Sequence, residues 1–189
     1  MAGLPLQPPS LASSTLILID CQNTYTYGVM ELEGVQAALD QAAALLDRAR
    51  SAGIPVVHIQ HDDGPGSLYD VNGESGAIVS RVAPRDGEPV VVKNYPNSFV
   101  QTPLDEQLKS FGSQNLVIAG FMTHMCVNST ARGAFSLGYA PTVVAGATAT
   151  RSLPGVDGTA VPAATLQVAS LAALTDLFAV VVPDAAAIS

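Results

Sequence analysis

Six short runs rich in Val, Ile, Leu and Ala recur along the chain at residues 16–20, 55–60, 90–93, 115–119, 141–145 and 178–182, mostly without polar alternation. Runs of that length and character suit strands buried on both faces, as in parallel sheets. Between the first two, Val35, Ala38, Leu39, Ala42, Leu45, Leu46 and Ala49 recur at three-to-four spacing. They make the single apolar stripe of a helix that stops at Gly53, ahead of Pro55. Further helices are predicted over 103–111, over 124–137 with Gly138 as the stop, and over 161–176. Strands alternating with amphipathic helices predict a three-layer α/β/α sandwich around a mainly parallel six-stranded sheet, joined by right-handed crossovers.

Residues 60–89 are rich in Gly, Pro and acidic side chains and follow no period. A loop that long in a compact domain is a lid or binding loop. Residues 1–14, with Pro5, Pro8 and Pro9, are expected to form an extended tail, and residues 185–189 a loose end. The remainder, 15–184, reads as a single domain. With 189 residues, 48% of them apolar, there is material for one well-buried core.

Charge narrows the partners. Eight basic against 16 acidic side chains give a net charge of -8, which repels nucleic acid and anionic membrane surfaces. No apolar stretch is long enough to span a bilayer, and the N-terminus lacks the basic region of a secretory signal. Two cysteines, Cys21 and Cys126, are too few for a disulfide framework and form no CxxC pair; a reducing cytoplasm fits them.

In open parallel sheets ligands bind outside the carboxyl ends of the strands. Asp20 closes the first run, Lys93 closes Val90-Val91-Val92, and Cys126 follows the run that ends at Ala119-Gly120. An acid, a base and a thiol are thereby predicted to share one rim. Cys126 also opens a helical segment, where free N–H groups and the positive end of the helix favour a thiolate and an oxyanion. Cys21 has no helix start and is expected to pack near the site rather than attack. Gly73-Glu74-Ser75-Gly76-Ala77 follows no apolar strand and is no serine-hydrolase elbow; Gly64-Pro65-Gly66-Ser67 is no dinucleotide fingerprint.

The pattern Asp20-x-Gln22-Asn23, Lys93 with Asn97-Ser98-Phe99, and Gly120-x-x-Thr123-x-x-Cys126-Val127-x-x-Thr130-Ala131-Arg132-x-Ala134 resembles the isochorismatase-like cysteine hydrolases. That superfamily includes nicotinamidases, N-carbamoyl amide hydrolases, ureidoacrylate-type amidohydrolases and streptothricin hydrolases. The resemblance implies Asp20, Lys93 and Cys126 as a catalytic triad and a cis peptide between Phe121 and Met122. It also implies an oxyanion hole from the backbone N–H groups of Met122 and Cys126. The implied reaction is hydrolysis of an amide or ureido C–N bond of a small molecule through a thioester, with no cofactor and a homodimeric or homotetrameric assembly. The alternatives are isochorismatase-type hydrolysis of another small substrate and a non-catalytic thiol sensor on the same fold. Isochorismatases proper lack the thiol, so its presence favours the amide reading.

Gln22, Tyr25, Asn97, Phe99 and His124 are the substrate contacts the pattern suggests, with Tyr27 at the rim. Metal-dependent nicotinamidases carry Asp-x-His after the second strand, whereas this chain reads His58-Ile59-Gln60-His61-Asp62-Asp63. No metal is therefore expected: His58 should be a core residue, and His61, Asp62 and Asp63 part of a solvated loop. Gly146 stands where the superfamily usually has an aspartate.

Overall fold

The structure is a computed structural model and describes residues 7–189. Its strands are β1 (Ser14–Ile19), β2 (Val56–His61), β3 (Val90–Lys93), β4 (Asn115–Phe121), β5 (Ala140–Ala149), β6 (Leu153–Pro154), β7 (Ala160–Val161) and β8 (Val180–Val182). The helices are α1 (Val35–Ser51), α2 (Leu104–Ser110), α3 (Asn128–Ser136) and α4 (Ala163–Thr175). Six strands form one sheet in the order β3-β2-β1-β4-β5-β8, and every neighbouring pair is parallel. The short β6 and β7 pair antiparallel as a separate hairpin.

Period-two alternation sorts the central strands between two apolar cores. Leu16 and Leu18 of β1 face the α1 stripe, together with Val117, Ala119 and Phe121 of β4. Ile17 and Ile19 face the other way and pack with Leu104, Leu108, Ala131 and Leu174 from α2, α3 and α4, and with Val127 just before α3. Three layers result because both faces of β1 and β4 are apolar and each demands a cover.

Two readings of the chain ends change. The Pro-rich tail lies in part outside the described residues, but Leu11–Ser13 forms a 3₁₀ turn and Leu11 is buried. The C-terminal residues are held rather than loose. Ala185–Ala187 form a turn capped by the Asp184 side chain, Ile188 is buried, and the Arg48 guanidinium bonds the carbonyls of Ala185 and Ile188. Leu11 N–H donates to the Ser189 carbonyl at 2.7 Å, so both ends pack against the foot of α1. Small apolar residues and a long cation tie these ends down, and neither signal has a period to detect.

The helix predicted over 124–137 is also interrupted. Residues Thr123–Val127 form one wide turn, with Val127 N–H reaching back to the Met122 carbonyl, before the regular α3 begins. β5 likewise extends past residue 145, bulging between its Ile118 and Gly120 partners in β4.

Candidate active site

Each functional group is delivered by the carboxyl end of a strand. Ile19 pairs with both Ile59 and Gly120, and Lys93 pairs with His61, so β1, β2, β3 and β4 finish at one rim. Asp20 leaves β1 in the left-handed region, φ 49°, a conformation that a short polar side chain tolerates better than a branched one. Gly120 lies opposite, with φ 115°; a Cβ there would sit 2.0 Å from the Ile19 carbonyl oxygen. Glycine is thus what lets β1 and β4 close up just before the Cys126 turn. The Phe121–Met122 peptide is cis.

Lys93 comes from the edge strand, two strands away from β1, and its long side chain crosses the end of β2. Its Nζ stands 2.7 Å from Asp20 Oδ2, 3.4 Å from Cys126 Sγ and 3.1 Å from His61 Nδ1. Asp20 and Lys93 are fully buried and Cys126 is nearly so. Burial raises the Asp20 carboxyl above its ordinary value, and the Lys93 charge opposes this only in part. Burial and the Asp20 charge push the Cys126 thiol up to about 12, against the pull of Lys93. Both Asp20 carboxyl oxygens are buried and, apart from the Lys93 ion pair, make no hydrogen bond.

The other predicted site residues divide. Tyr25 is buried against Tyr69 and Phe121, both edge-on at 5.8 Å, and lies close enough for the Asp20 and Cys126 charges to act on its hydroxyl. His124 is anchored by Nδ1 to the Thr150 hydroxyl at 2.5 Å, and its buried Nε2 has no partner. Tyr27 is exposed at the rim. Cys21 is buried behind β1, its thiol directed to the Ile19 carbonyl.

Three of the suggested substrate contacts have partners elsewhere in the fold. Gln22 donates both amide hydrogens, to the carbonyls of His61 and Gly76, and accepts from His61 N–H. It braces the loop against β2 and has no donor left for a substrate. Phe99 stacks on Tyr139 at 6.0 Å, and Asn97 accepts from Phe99 N–H. Both line a groove outside α3 with Val100, Arg132 and Leu137, and no triad residue is in its walls.

His61 is a further correction. It is no solvated loop residue but the last of β2, linking Asp63 at 3.2 Å to Lys93. The signal available was register: β2 and β3 end together, which places His61 beside Lys93. His58 is buried as expected, but it bonds Glu88, which also holds Arg50 at 2.8 Å. Among the described residues, no group of three or more His, Cys, Asp or Glu is arranged to hold a metal ion.

Arg151 escaped the sequence reading, and Thr123 entered it only as part of the pattern around Cys126. Arg151 follows β5 at the same rim, with its charge felt by His124, and among the described residues it makes no ion pair; its Nε is buried without a partner. The Thr123 hydroxyl, three residues before Cys126, is likewise buried and unpartnered. Gly146 donates its N–H to the Pro183 carbonyl at 2.8 Å, and a Cβ would lie 2.9 Å from that oxygen. An aspartate there would force β5 and the end of β8 apart.

The model of the isochorismatase domain matches residues 14–186. The chain belongs to the isochorismatase family. A crystal structure of an isochorismatase from Pseudomonas putida superposes on this family member with a TM-score of 0.92 at 38% identity, covering 96% of this chain and 93% of that one. The secreted isochorismatase effector Isc1 of Verticillium dahliae is 34% identical, over 96% of this chain and 94% of its own. The ureidoacrylate amidohydrolase RutB of Stutzerimonas stutzeri is 31% identical, over 77% and 75% of the two chains. This isochorismatase-family chain is accordingly a hydrolase with amidohydrolase relatives. Among its described residues no helix is long and apolar enough to cross a membrane.

Proposed function

We propose that this hydrolase cleaves an amide or ureido C–N bond of a small molecule, with Cys126 as nucleophile and a thioester as intermediate. The observation that carries the reading is the convergence of Lys93 Nζ on Asp20 at 2.7 Å and on Cys126 at 3.4 Å in a buried setting. Asp20 takes the thiol proton as the sulfur adds to the carbonyl carbon. N–H groups of Met122 and Cys126 receive the oxyanion. The protonated Asp20 gives its proton to the departing nitrogen, and the C–N bond breaks to leave the thioester. Asp20 then takes a proton from water, which attacks the thioester and releases the acid and the thiol. A carboxyl raised by burial suits a group that must hold and return a proton in one cycle.

Arg151, a rim cation without an ion-pair partner among the described residues, favours a substrate with a carboxylate or similar anionic group. The relative that acts as a ureidoacrylate amidohydrolase supports the ureido class. A thiol sensor is less well supported, because a thiol held at about 12 presents little thiolate to an oxidant. Both cysteines are unpaired, in keeping with a reducing compartment.

The test is release of ammonia or amine from a panel of small amides and ureides, with and without a carboxylate, run beside Cys126→Ala. Turnover by the native protein, a trapped acyl-enzyme of matching mass, and at least about a 10,000-fold loss in the variant are expected. Turnover retained in Cys126→Ala removes the nucleophile. Rapid alkylation of Cys126 with hydrolysis of no substrate favours the sensor.

A further inference from the structure

An ammonium group has three protons to give and no lone pair with which to accept. Lys93 Nζ faces three groups: Asp20 Oδ2 at 2.7 Å, Cys126 Sγ at 3.4 Å and His61 Nδ1 at 3.1 Å. The ring nitrogen turned toward it must therefore present a lone pair, which leaves the single proton of the neutral imidazole on Nε2. Nε2 lies 3.2 Å from Asp63 Oδ1, an oxygen that accepts. Donors and acceptors thus run in one direction, from Lys93 to His61 and from His61 to Asp63.

We propose that Asp63 is a positioning residue of the site: by accepting the Nε2 proton of His61 it fixes the tautomer whose Nδ1 holds Lys93 against Asp20 and Cys126. Its effect on turnover rests on the hydrolase reading given above; the tautomer does not.

Everything else about His61 is already set. Gln22 holds its backbone from both sides, donating to the His61 carbonyl at 2.9 Å and accepting from the His61 N–H at 3.0 Å. Strand register places His61 beside Lys93. Tyr69 stands edge-on to the imidazole, with ring centroids 5.1 Å apart at 88°. These contacts leave open which ring nitrogen carries the proton, and that choice is made by the hydrogen bond the other nitrogen forms. A proton on Nδ1 would set two donors against each other at 3.1 Å, and Lys93 would lose its acceptor.

Asp63 is held where the ring needs it. Asp62 N–H donates to the Lys93 carbonyl at 2.9 Å and Asn94 Nδ2 donates to the Asp62 carbonyl at 2.7 Å, so the backbone next to Asp63 is tied to the end of β3. The Asp62 carboxylate accepts from Gly64 N–H, which leaves Asp63 as the carboxylate on the ring. The Asp63 side chain is 54% exposed. A contact so open to water adds little to stability, so its removal should alter the site more than the fold.

Lys93 needs a hold that does not change during the reaction. Its side chain is a flexible four-carbon stem, and its strongest partner is the Asp20 carboxylate. When Asp20 takes up the thiol proton, that attraction falls, whereas the His61 lone pair stays in place.

The experiment is long-range proton–nitrogen NMR of the ¹⁵N-labelled full chain, with the His61 signals assigned by their loss in His61→Asn, run beside kinetics on the small amides. Native His61 is expected as the Nε2–H tautomer. Asp63→Ala should move part of the population to Nδ1–H and lower kcat by about 3-fold to 10-fold, with KM and melting temperature nearly unchanged. Asp63→Asn, whose amide oxygen still accepts, should keep the tautomer and most of the turnover. A native ring with its proton on Nδ1, a tautomer or a kcat that Asp63→Ala leaves unchanged, or an equal loss in Asp63→Asn would overturn the proposal. Failure of the native protein on every amide would instead sink the hydrolase reading, and the tautomer in the two Asp63 variants then decides this one.

Discussion

Asp20 and Lys93 stand 2.7 Å apart with neither side chain exposed to solvent. A buried ion pair of this kind adds little stability relative to an apolar pair, but breaking it leaves an uncompensated charge. In the proposed mechanism the pair has a use: Lys93 also stands 3.4 Å from the sulfur that Asp20 would deprotonate.

Lys93→Met is expected to lower turnover by about 1,000-fold or more and to cost about 3–5 kcal/mol in stability at neutral pH. The sign with pH follows from Asp20, whose carboxyl is raised on folding. The folded state then holds a proton that the unfolded chain has released, so stability in this variant falls as pH rises from the ordinary carboxylate range and recovers on acidification. Adding Asp20→Asn should restore much of the stability but none of the activity. Denaturant titrations at pH 4 and pH 7 measure this.

In the native enzyme the acid limb of kcat/KM should lie above the ordinary aspartate value of 3.8, because Asp20 must be ionised to accept the thiol proton. A limb at or below 3.8 would assign the base to another group.

His61 is a positioning residue whose Nδ1 accepts from Lys93. Removing a hydrogen bond to a charged group costs about 1.5–3 kcal/mol, so His61→Leu should reduce kcat by about 10-fold to 100-fold with little change in KM. His61→Asn, which keeps an acceptor, should recover part of the loss. An effect confined to thermal stability would make His61 merely structural.

Arg151→Gln should raise KM for carboxylate-bearing substrates by about 10-fold or more, while neutral amides of the same size change little. An equal effect on both substrate types would place Arg151 in the fold of the rim rather than against the substrate.

Glu88 is held down to about 2, mainly by its hydrogen bonds from Arg50, with further help from the Arg85 N–H and His58. A carboxyl depressed on folding stabilises the protein above its unfolded value near 4.5, and that contribution is lost as pH falls toward 2. His58, lowered by burial, adds acid lability below its ordinary 6.5. Glu88→Gln should therefore cost on the order of 1–3 kcal/mol at pH 7 and flatten the stability curve between pH 4.5 and 2, while the His58 part grows because Glu88 no longer raises that buried imidazole. Urea unfolding across pH 2–8 checks it.

Near-neighbour patterns carried the architecture. The apolar runs predict every strand of the main sheet: the central strands are apolar because they are buried on both faces, the edge strand β3 keeps an apolar run although Val90 and Val92 are exposed, and the α1 stripe is written at 3.6-residue spacing. α4, uncharged along its whole length, was also legible as a helix. Asp20, Lys93 and Cys126 stood out because polar residues that end or follow apolar strands fall at a parallel sheet's ligand-binding edge. Which of their neighbours could meet a substrate depended on contacts between residues far apart in the chain. Gln22 is used by carbonyls 39 and 54 positions away, and His61 finds Lys93 32 positions on. Phe99 turns to Tyr139, and Arg151 comes to the rim because β5 ends beside β4. No local period encodes such meetings; strand register and loop packing set them, and those are properties of the folded chain alone.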